Sequence, residues 1–290
     1  MQTHDLAGHQ KINGEIGRPF IKMQGLGNHF VVVDGRSTPF RPSAGEIIRI
    51  CDEKFGVGAE QLLVIESPTD EAKQLGADAR MRIYNPDGQE AQACGNATRC
   101  VIHLLLEEAA ADELSLETMA GVLKGQRVGE FTVSVNMGRI YTEWNRIPVS
   151  RPLDTLHAHV ESGPLHDATL LNIGNPHAVF FVDDLDSVDL ERFGPAVQAN
   201  PLFPESVNVG AAEFVDENTL RLSVYERPGV LTTGCGSGSC VAVYAAHARG
   251  LTAARKMTVH MAGGSIEVQL NDDGTATMTG PVAYSFRGTL

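Results

Sequence analysis

Apolar residues fall along this chain in short runs cut by glycine, joined by a few longer stretches at helical spacing. Two such runs within residues 20–35, FIKMQGLGNHFVVVDG, flank Gly25, Leu26, Gly27 and Asn28 and predict strand, turn, strand, with Asn28 at a strand entrance. Residues 44–54 carry apolar positions on one helical face and predict a short amphipathic helix. Gly56 and Gly58 break it, and the continuous run at 61–65 predicts a buried strand. Residues 80–84 alternate into a further strand, Pro86-Asp87-Gly88 is a turn, and ATRCVIHLLLEEAA after Cys94-Gly95-Asn96 predicts a largely buried helix starting near the cysteine. Residues 114–118, 121–126 and 130–135 read as strands paired antiparallel. The stretch 138–152, with Trp144, Pro148 and Pro152, has no period and reads as a crossover. Beyond it come strands at 169–173 and 179–182 around a GNPHAV turn, a helix at 189–199, strands at 206–209 and 220–225, and a helix at 240–249. A last hairpin is turned by Asn271-Asp272-Asp273-Gly274.

The pattern occurs twice. RMRIYNPDGQEAQACGNATRCV at 80–101 answers RLSVYERPGVLTTGCGSGSCV at 221–241, with Arg80, Tyr84 and Cys94 in the register of Arg221, Tyr225 and Cys235. Met119-Ala120-Gly121 answers Met261-Ala262-Gly263, Gly138 answers Gly280, and Gly27-Asn28-His29-Phe30 loosely answers Gly174-Asn175-Pro176-His177. An internal repeat of this length predicts two domains of ordinary size rather than one large one. The expected division is a flexible extension at 1–18, an N-terminal lobe at 19–141 joined by 281–290, and a C-terminal lobe at 142–280. Each lobe offers one matched cysteine, which suggests a site where two thiols face each other.

Composition narrows the functional classes. A chain that is 42% hydrophobic and 20% charged, without a stretch near the roughly 20 apolar residues of a membrane span, predicts a globular protein with no membrane partner. The formal charge of -13 and the lack of clustered Lys and Arg argue against a nucleic-acid partner. The polar, histidine-containing first residues have no apolar core and do not read as a signal peptide. Five cysteines, an odd number, then point to reduced thiols in the cytoplasm.

At a helix start, unpaired N–H groups and the helix dipole favour a thiolate and hold a carboxylate. Gly95 and Gly236 allow close backbone approach, while Asn96 and Ser237 suit capping or an anion contact. A thiolate on one face of a carbon and a thiol on the other can invert it without redox chemistry. A zinc site built from Cys94, Cys100, Cys235 and Cys240 fits usual ligand spacings poorly, so no metal is expected. Cys51, Cys100 and Cys240 are expected in the core, and His103 and His247 as packed or surface residues.

The segments KMQGLGNHF, FGVGAEQ, NPDGQEAQACGN, GNPHAVFFVD, PESVNVG, and YERPG with GCGSGSC make the chain resemble the diaminopimelate epimerase family from Phe20 onward. The resemblance implies an α/β fold of two pseudo-symmetric domains, each a curved, mostly antiparallel sheet or barrel around a central helix. It implies a pyridoxal-independent epimerase, with no cofactor, that converts LL- to meso-diaminopimelate for lysine and peptidoglycan precursors. Cys94 and Cys235 would be the acid/base pair, with His177 and Glu226 adjusting their pKa values. Asn28, Gln61, Asn85, Asn175, Asn208, Glu226 and Arg227 would contact the small-molecule substrate, and Gly95-Asn96 and Gly236-Ser237 would cradle the reacting carboxylate. The family is commonly homodimeric. The chain departs from the family at His29, Ala97, Gly234 and the loop Pro228-Gly229-Val230-Leu231, which reads as drift around an intact site. The alternative is another cofactor-independent racemase or epimerase of the proline racemase type.

Overall fold

The computed structural model describes residues 11–12, 15–91, 94–227 and 229–290. The expected N-terminal extension therefore lies mostly outside the described residues, as does Pro228. Lys11–Ile12 and Glu15–Ile16 pair as a short antiparallel ladder. The rest forms two compact units. The first runs through Val135 and includes Gly280–Leu290, and the second is Asn136–Thr279.

In the first unit, Ala283–Thr289 pairs antiparallel with Pro19–Gly25, which pairs antiparallel with Asn28–Asp34. Asn28–Asp34 then runs parallel to Gln61–Glu66, and the chain crosses over through helix α1, Ala44–Cys51. Such a parallel step needs a long connection, which a helix supplies. Gln61–Glu66 pairs antiparallel with Ala79–Tyr84 after a short helix α2, Asp70–Gln74. Ala79–Tyr84 runs parallel to Glu113–Thr118 through the second crossover helix, α3, Gly95–Ala109. Gly121–Gly129 and the start of Thr132–Arg139 close the meander.

Local chemistry explains the two long helices of this unit. Ser43 and Glu46 close a capping box at the start of α1, whose Ile47, Ile50 and Cys51 pack on Val31, Val33, Leu62 and Val64. The alternate residues of those strands, Phe30, Val32, Leu63 and Ile65, are buried too, so by the two-residue period they face the opposite side of the sheet. α3 lies on that side, buried from Gly95 to Leu106 and in contact with five strands, from Pro19–Gly25 round to Gly121–Gly129. A helix buried on nearly every face over about three turns needs such a wrapping. Gly125 lets the sheet come close, since a Cβ there would stand 2.3 Å from Ile102 Cδ1.

The second unit repeats the order. Thr169–Asn172 pairs antiparallel with Pro176–Phe181, which runs parallel to Asn208–Asp216 through helix α4, Leu190–Gln198. Asn208–Asp216 pairs antiparallel with Thr219–Glu226, which runs parallel to Lys256–Met261 through helix α5, Gly236–Ala248. Gly264–Leu270 and Thr275–Pro281 complete the meander. Both units are thus α/β, with a curved mixed sheet around one buried helix, as the sequence implies. α5 starts at Gly236 rather than at the expected 240, because Gly236-Ser237-Gly238-Ser239 carries no apolar period to reveal a helix. The sequence gives no sign of the short α2, capped by Thr69, since its DEAKQ offers a single apolar residue, Ala72.

Candidate active site

The central helices α3 and α5 each begin directly after one of the matched cysteines, and that cysteine is the N-cap. Cys94 caps α3 in an extended conformation, with φ -150° and ψ 109°. Cys235 caps α5 in the same way, with φ -121° and ψ 107°. The first-turn N–H groups of both helices lack helical acceptors by construction, and Gly95-Asn96 and Gly236-Ser237 form those turns. At α5 one of these groups, Gly238 N–H, is donated to Cys235 Sγ at 3.3 Å.

The strand registers carry the repeat down to single residues. Phe30 lies opposite Gln61 and Leu62 opposite Tyr84, while His177 lies opposite Asn208 and Val209 opposite Tyr225. Asn28, Gln61, Asn85 and Cys94 therefore hold the same places in the first unit as Asn175, Asn208, Glu226 and Cys235 in the second.

Around Cys94, the thiol donates to Asn28 Oδ1 at 3.5 Å, and Asn96 Nδ2 reaches the same oxygen at 3.5 Å. Asn28 Nδ2 donates to Glu60 Oε2, and Arg99 Nη2 donates to Asn96 Oδ1 at 2.8 Å. Gln61 Nε2 donates to Asn85 Oδ1 at 3.0 Å, whereas Gln61 Oε1 is buried with no hydrogen-bond partner among the described residues. Such an orphaned acceptor calls for a donor.

Around Cys235 the polar groups converge on His177. Its Nε2 lies 3.1 Å from Ser237 Oγ, 3.2 Å from Asn175 Oδ1 and 3.4 Å from Asn208 Nδ2. Arg227 N–H donates to Asn208 Oδ1 at 2.9 Å, which leaves Asn208 Nδ2 to donate and favours the tautomer whose Nε2 accepts. Burial, reinforced by the Arg227 charge, pushes His177 down to about 3, so the imidazole is neutral. It touches Ser237, which in turn lies 3.5 Å from Cys235 Sγ. Glu226 acts on the sulfur directly. Burial first, then the charge of Glu226 and a hydrogen bond with it, push the Cys235 thiol well up; burial also raises the Glu226 carboxyl. Cys235 consequently holds its proton.

Arg227 is tied by Nη1 to Glu205 C=O at 2.9 Å, and Gly229, at φ 128°, donates its N–H to Glu226 C=O. The departing loop therefore folds back onto Glu226, with the positive φ carried by glycine.

Three participants escaped the sequence reading. Glu60 and Arg99 hydrogen-bond the amides beside Cys94. Met261 Sδ accepts from Cys235 N–H at 3.3 Å and from Ser239 Oγ at 3.4 Å. Met261 was visible only as half of a repeated Met-Ala-Gly, whose other methionine, Met119, is exposed. Arg99 could have been found from its helical spacing to Asn96. Cys100 and Cys240 are fully buried, as expected of core thiols, and Cys51 is buried under α1. Among the described residues no three of His, Cys, Asp or Glu gather in a way that could hold a metal ion, and no helix is long and apolar enough to cross a membrane.

Comparison with known proteins places this arrangement. The family model for diaminopimelate epimerase matches residues 20–142 and 169–285. A diaminopimelate epimerase of Acidiphilium cryptum is 44% identical over 273 residues, covering 94% of this chain and 96% of the relative. One of Phenylobacterium zucineum is 45% identical over 285 residues, covering 96% and 100%. Among solved structures, a probable proline racemase from Agrobacterium radiobacter superposes with a TM-score of 0.67 at 18% identity, covering 94% of this chain and 92% of that one. A PhzF-family phenazine biosynthesis protein of Bacillus anthracis gives 0.66 at 18% identity, covering 95% and 99%. At such identity these neighbours speak for the fold alone, whereas the family match spans the capping cysteines and the polar residues around them: the chain belongs to the diaminopimelate epimerase family.

Proposed function

We infer that the protein is an isomerase that interconverts LL- and meso-2,6-diaminopimelate, and that Cys94 and Cys235 are its acid and base. The observation that carries this reading is the duplicated constellation: in each unit a helix-capping cysteine stands with three polar residues in matching register, in a chain of this family.

In the proposed reaction one sulfur, as thiolate, takes the α-proton and becomes a thiol. The electron pair of the broken C–H bond passes toward the substrate carboxylate, and the other thiol delivers its proton to the opposite face. Protons balance, the centre inverts, and the two sulfurs exchange protonation states, so no cofactor is called for. First-turn N–H groups at Gly95-Asn96 and Gly236-Ser237 would stabilise the growing charge, and one well-placed donor of this kind is worth roughly 3 to 4 kcal/mol. Asn28, Gln61, Asn85, Asn175, Asn208, Glu226 and Arg227 would hold the substrate, and the orphaned Gln61 Oε1 suits an ammonium donor. Glu226 would tune Cys235 directly and His177 would do so through Ser237. The Cys94 thiol donates a hydrogen bond to Asn28 Oδ1 and the Cys235 thiol holds its proton, so one proton must leave before turnover begins.

We further propose the lobes 19–141 with 281–290 and 142–280 as the functional halves, a cytoplasmic setting for the five reduced thiols, and a homodimer. The product would serve lysine and peptidoglycan precursor synthesis. The test is to offer the purified protein LL-diaminopimelate and, separately, L-proline, and to follow stereochemistry. Conversion of diaminopimelate alone supports the reading, and conversion of proline alone would replace it with the racemase alternative.

A further inference from the structure

We propose that Arg99 and Glu60 are positioning residues that together decide which end of the Asn28 amide faces the Cys94 sulfur. The role in catalysis rests on the paired-thiol reading above; the placement itself rests on hydrogen bonds within one unit.

An asparagine amide has a donor end and an acceptor end of nearly equal shape, so its neighbours must choose between two orientations. Here a chain of amides is closed at each end by a group that cannot reverse. The Arg99 guanidinium only donates, and its Nη2 gives a proton to Asn96 Oδ1 at 2.8 Å. Asn96 must then present Nδ2 onward, and it does so to Asn28 Oδ1 at 3.5 Å. Asn28 is left with Nδ2 to give, and the acceptor waiting for it is the carboxylate Oε2 of Glu60. Every bond in the series Arg99, Asn96, Asn28, Glu60 runs in one direction. The consequence is that an acceptor, Asn28 Oδ1, stands 3.5 Å from Cys94 Sγ and accepts a hydrogen bond from the thiol. With the amide reversed, an N–H would face the sulfur and favour the thiolate instead.

Two details agree with a built device. Arg99 is fully buried, and Gly25 leaves space for it, since a Cβ at that position would stand 3.3 Å from Nη2. The place of Arg99 in the second unit, five residues past the cysteine, is taken by Cys240, so the relay belongs to the first unit only. The neighbouring Cys100 thiol does not compete: burial pushes it up to about 12, so it stays neutral beside Cys94.

The test uses the full chain without substrate and reads the rate at which iodoacetamide alkylates Cys94, resolved by peptide mass at one near-neutral pH. Glu60→Gln can donate as well as accept, and Arg99→Met cannot donate. Each removes one of the two constraints on the Asn28 amide and so weakens its preferred orientation, and each is expected to raise Cys94 alkylation roughly three- to tenfold. Glu60→Asp stays acceptor-only and Arg99→Lys donor-only, so both are expected to remain within about twofold of the parent chain. Glu60 is exposed, so the Gln and Asp pair decides the matter even where Arg99→Met fails to fold. Equal alkylation of Cys94 in Glu60→Gln, Glu60→Asp and the parent would overturn the proposal. Because no turnover is measured, that outcome is separate from failure of the epimerase reading, which diaminopimelate conversion by the parent chain decides.

Discussion

Glu226 stands beside the Cys235 thiol, at the place that Asn85 fills in the other unit, nine residues ahead of the capping cysteine in both. The duplicated scaffold thus carries a carboxylate next to the Cys235 sulfur and, at the matching position of the other unit, an amide that accepts from Gln61. A carboxylate beside a buried thiol disfavours a second negative charge, so Glu226 adds to burial in holding the Cys235 thiol up, whereas the matching position of the other unit carries no charge.

Replacing Glu226 by Gln removes that charge while keeping size. Since burial and the Glu226 carboxylate both raise the Cys235 thiol, losing the carboxylate makes the thiol more acidic. In a kcat/KM profile the limb that rises with pH, as a thiol proton leaves, is expected to move to lower pH in Glu226→Gln. The plateau is expected to fall as well, because a substrate contact is lost. An unmoved limb would mean that Cys235 does not titrate in the active form.

His177 makes stability depend on pH. Its folded value, about 3, lies below the ordinary 6.5, so as pH falls through the ordinary value the unfolded chain binds a proton that the folded chain refuses. Stability is therefore lost on acidification, and the loss levels off only near the folded value. The slope from one such group approaches about 1.4 kcal/mol per pH unit. Urea unfolding of His177→Gln between roughly pH 6 and 4 is expected to show a shallower decline than the parent, by about that amount per unit.

Gly125 permits contact between its strand and α3, where a Cβ would fall 2.3 Å from Ile102 Cδ1 and 2.7 Å from Ile102 Cγ2. Gly125→Ala is expected to destabilise the protein by about 1–3 kcal/mol, as overpacking of a filled core does. Chemical denaturation measures it, and pairing the change with Ile102→Val, which removes a methylene, is expected to recover part of the loss.

Much of this arrangement is readable in the chain before any coordinates. The matched spacing of Tyr84 to Cys94 and Tyr225 to Cys235 fixes both the duplication and the register that later sets Asn85 against Glu226. The runs QLLVIE and VFF betray strands largely buried on both faces, the common pattern where parallel strands are covered on each side. What stays hidden are contacts between residues far apart in sequence and ordinary in type. Glu60 reads as a solvated charge until Asn28 is found donating to it, and Arg99 reads as a helix surface residue until the sheet closes over α3. The start of α5 is hidden differently: small residues carry no periodicity, so only the backbone reveals that Cys235 is a cap.

The paired-thiol reaction is tested most directly by incubating LL-diaminopimelate in deuterium oxide with the parent chain, Cys94→Ser and Cys235→Ser, and following deuterium at the α-carbons together with configuration. The parent is expected to incorporate deuterium with inversion, and each variant to lose inversion by roughly a hundredfold or more, the scale of a missing general acid or base. Inversion at the parent rate in either variant would contradict the reaction proposed for the two sulfurs.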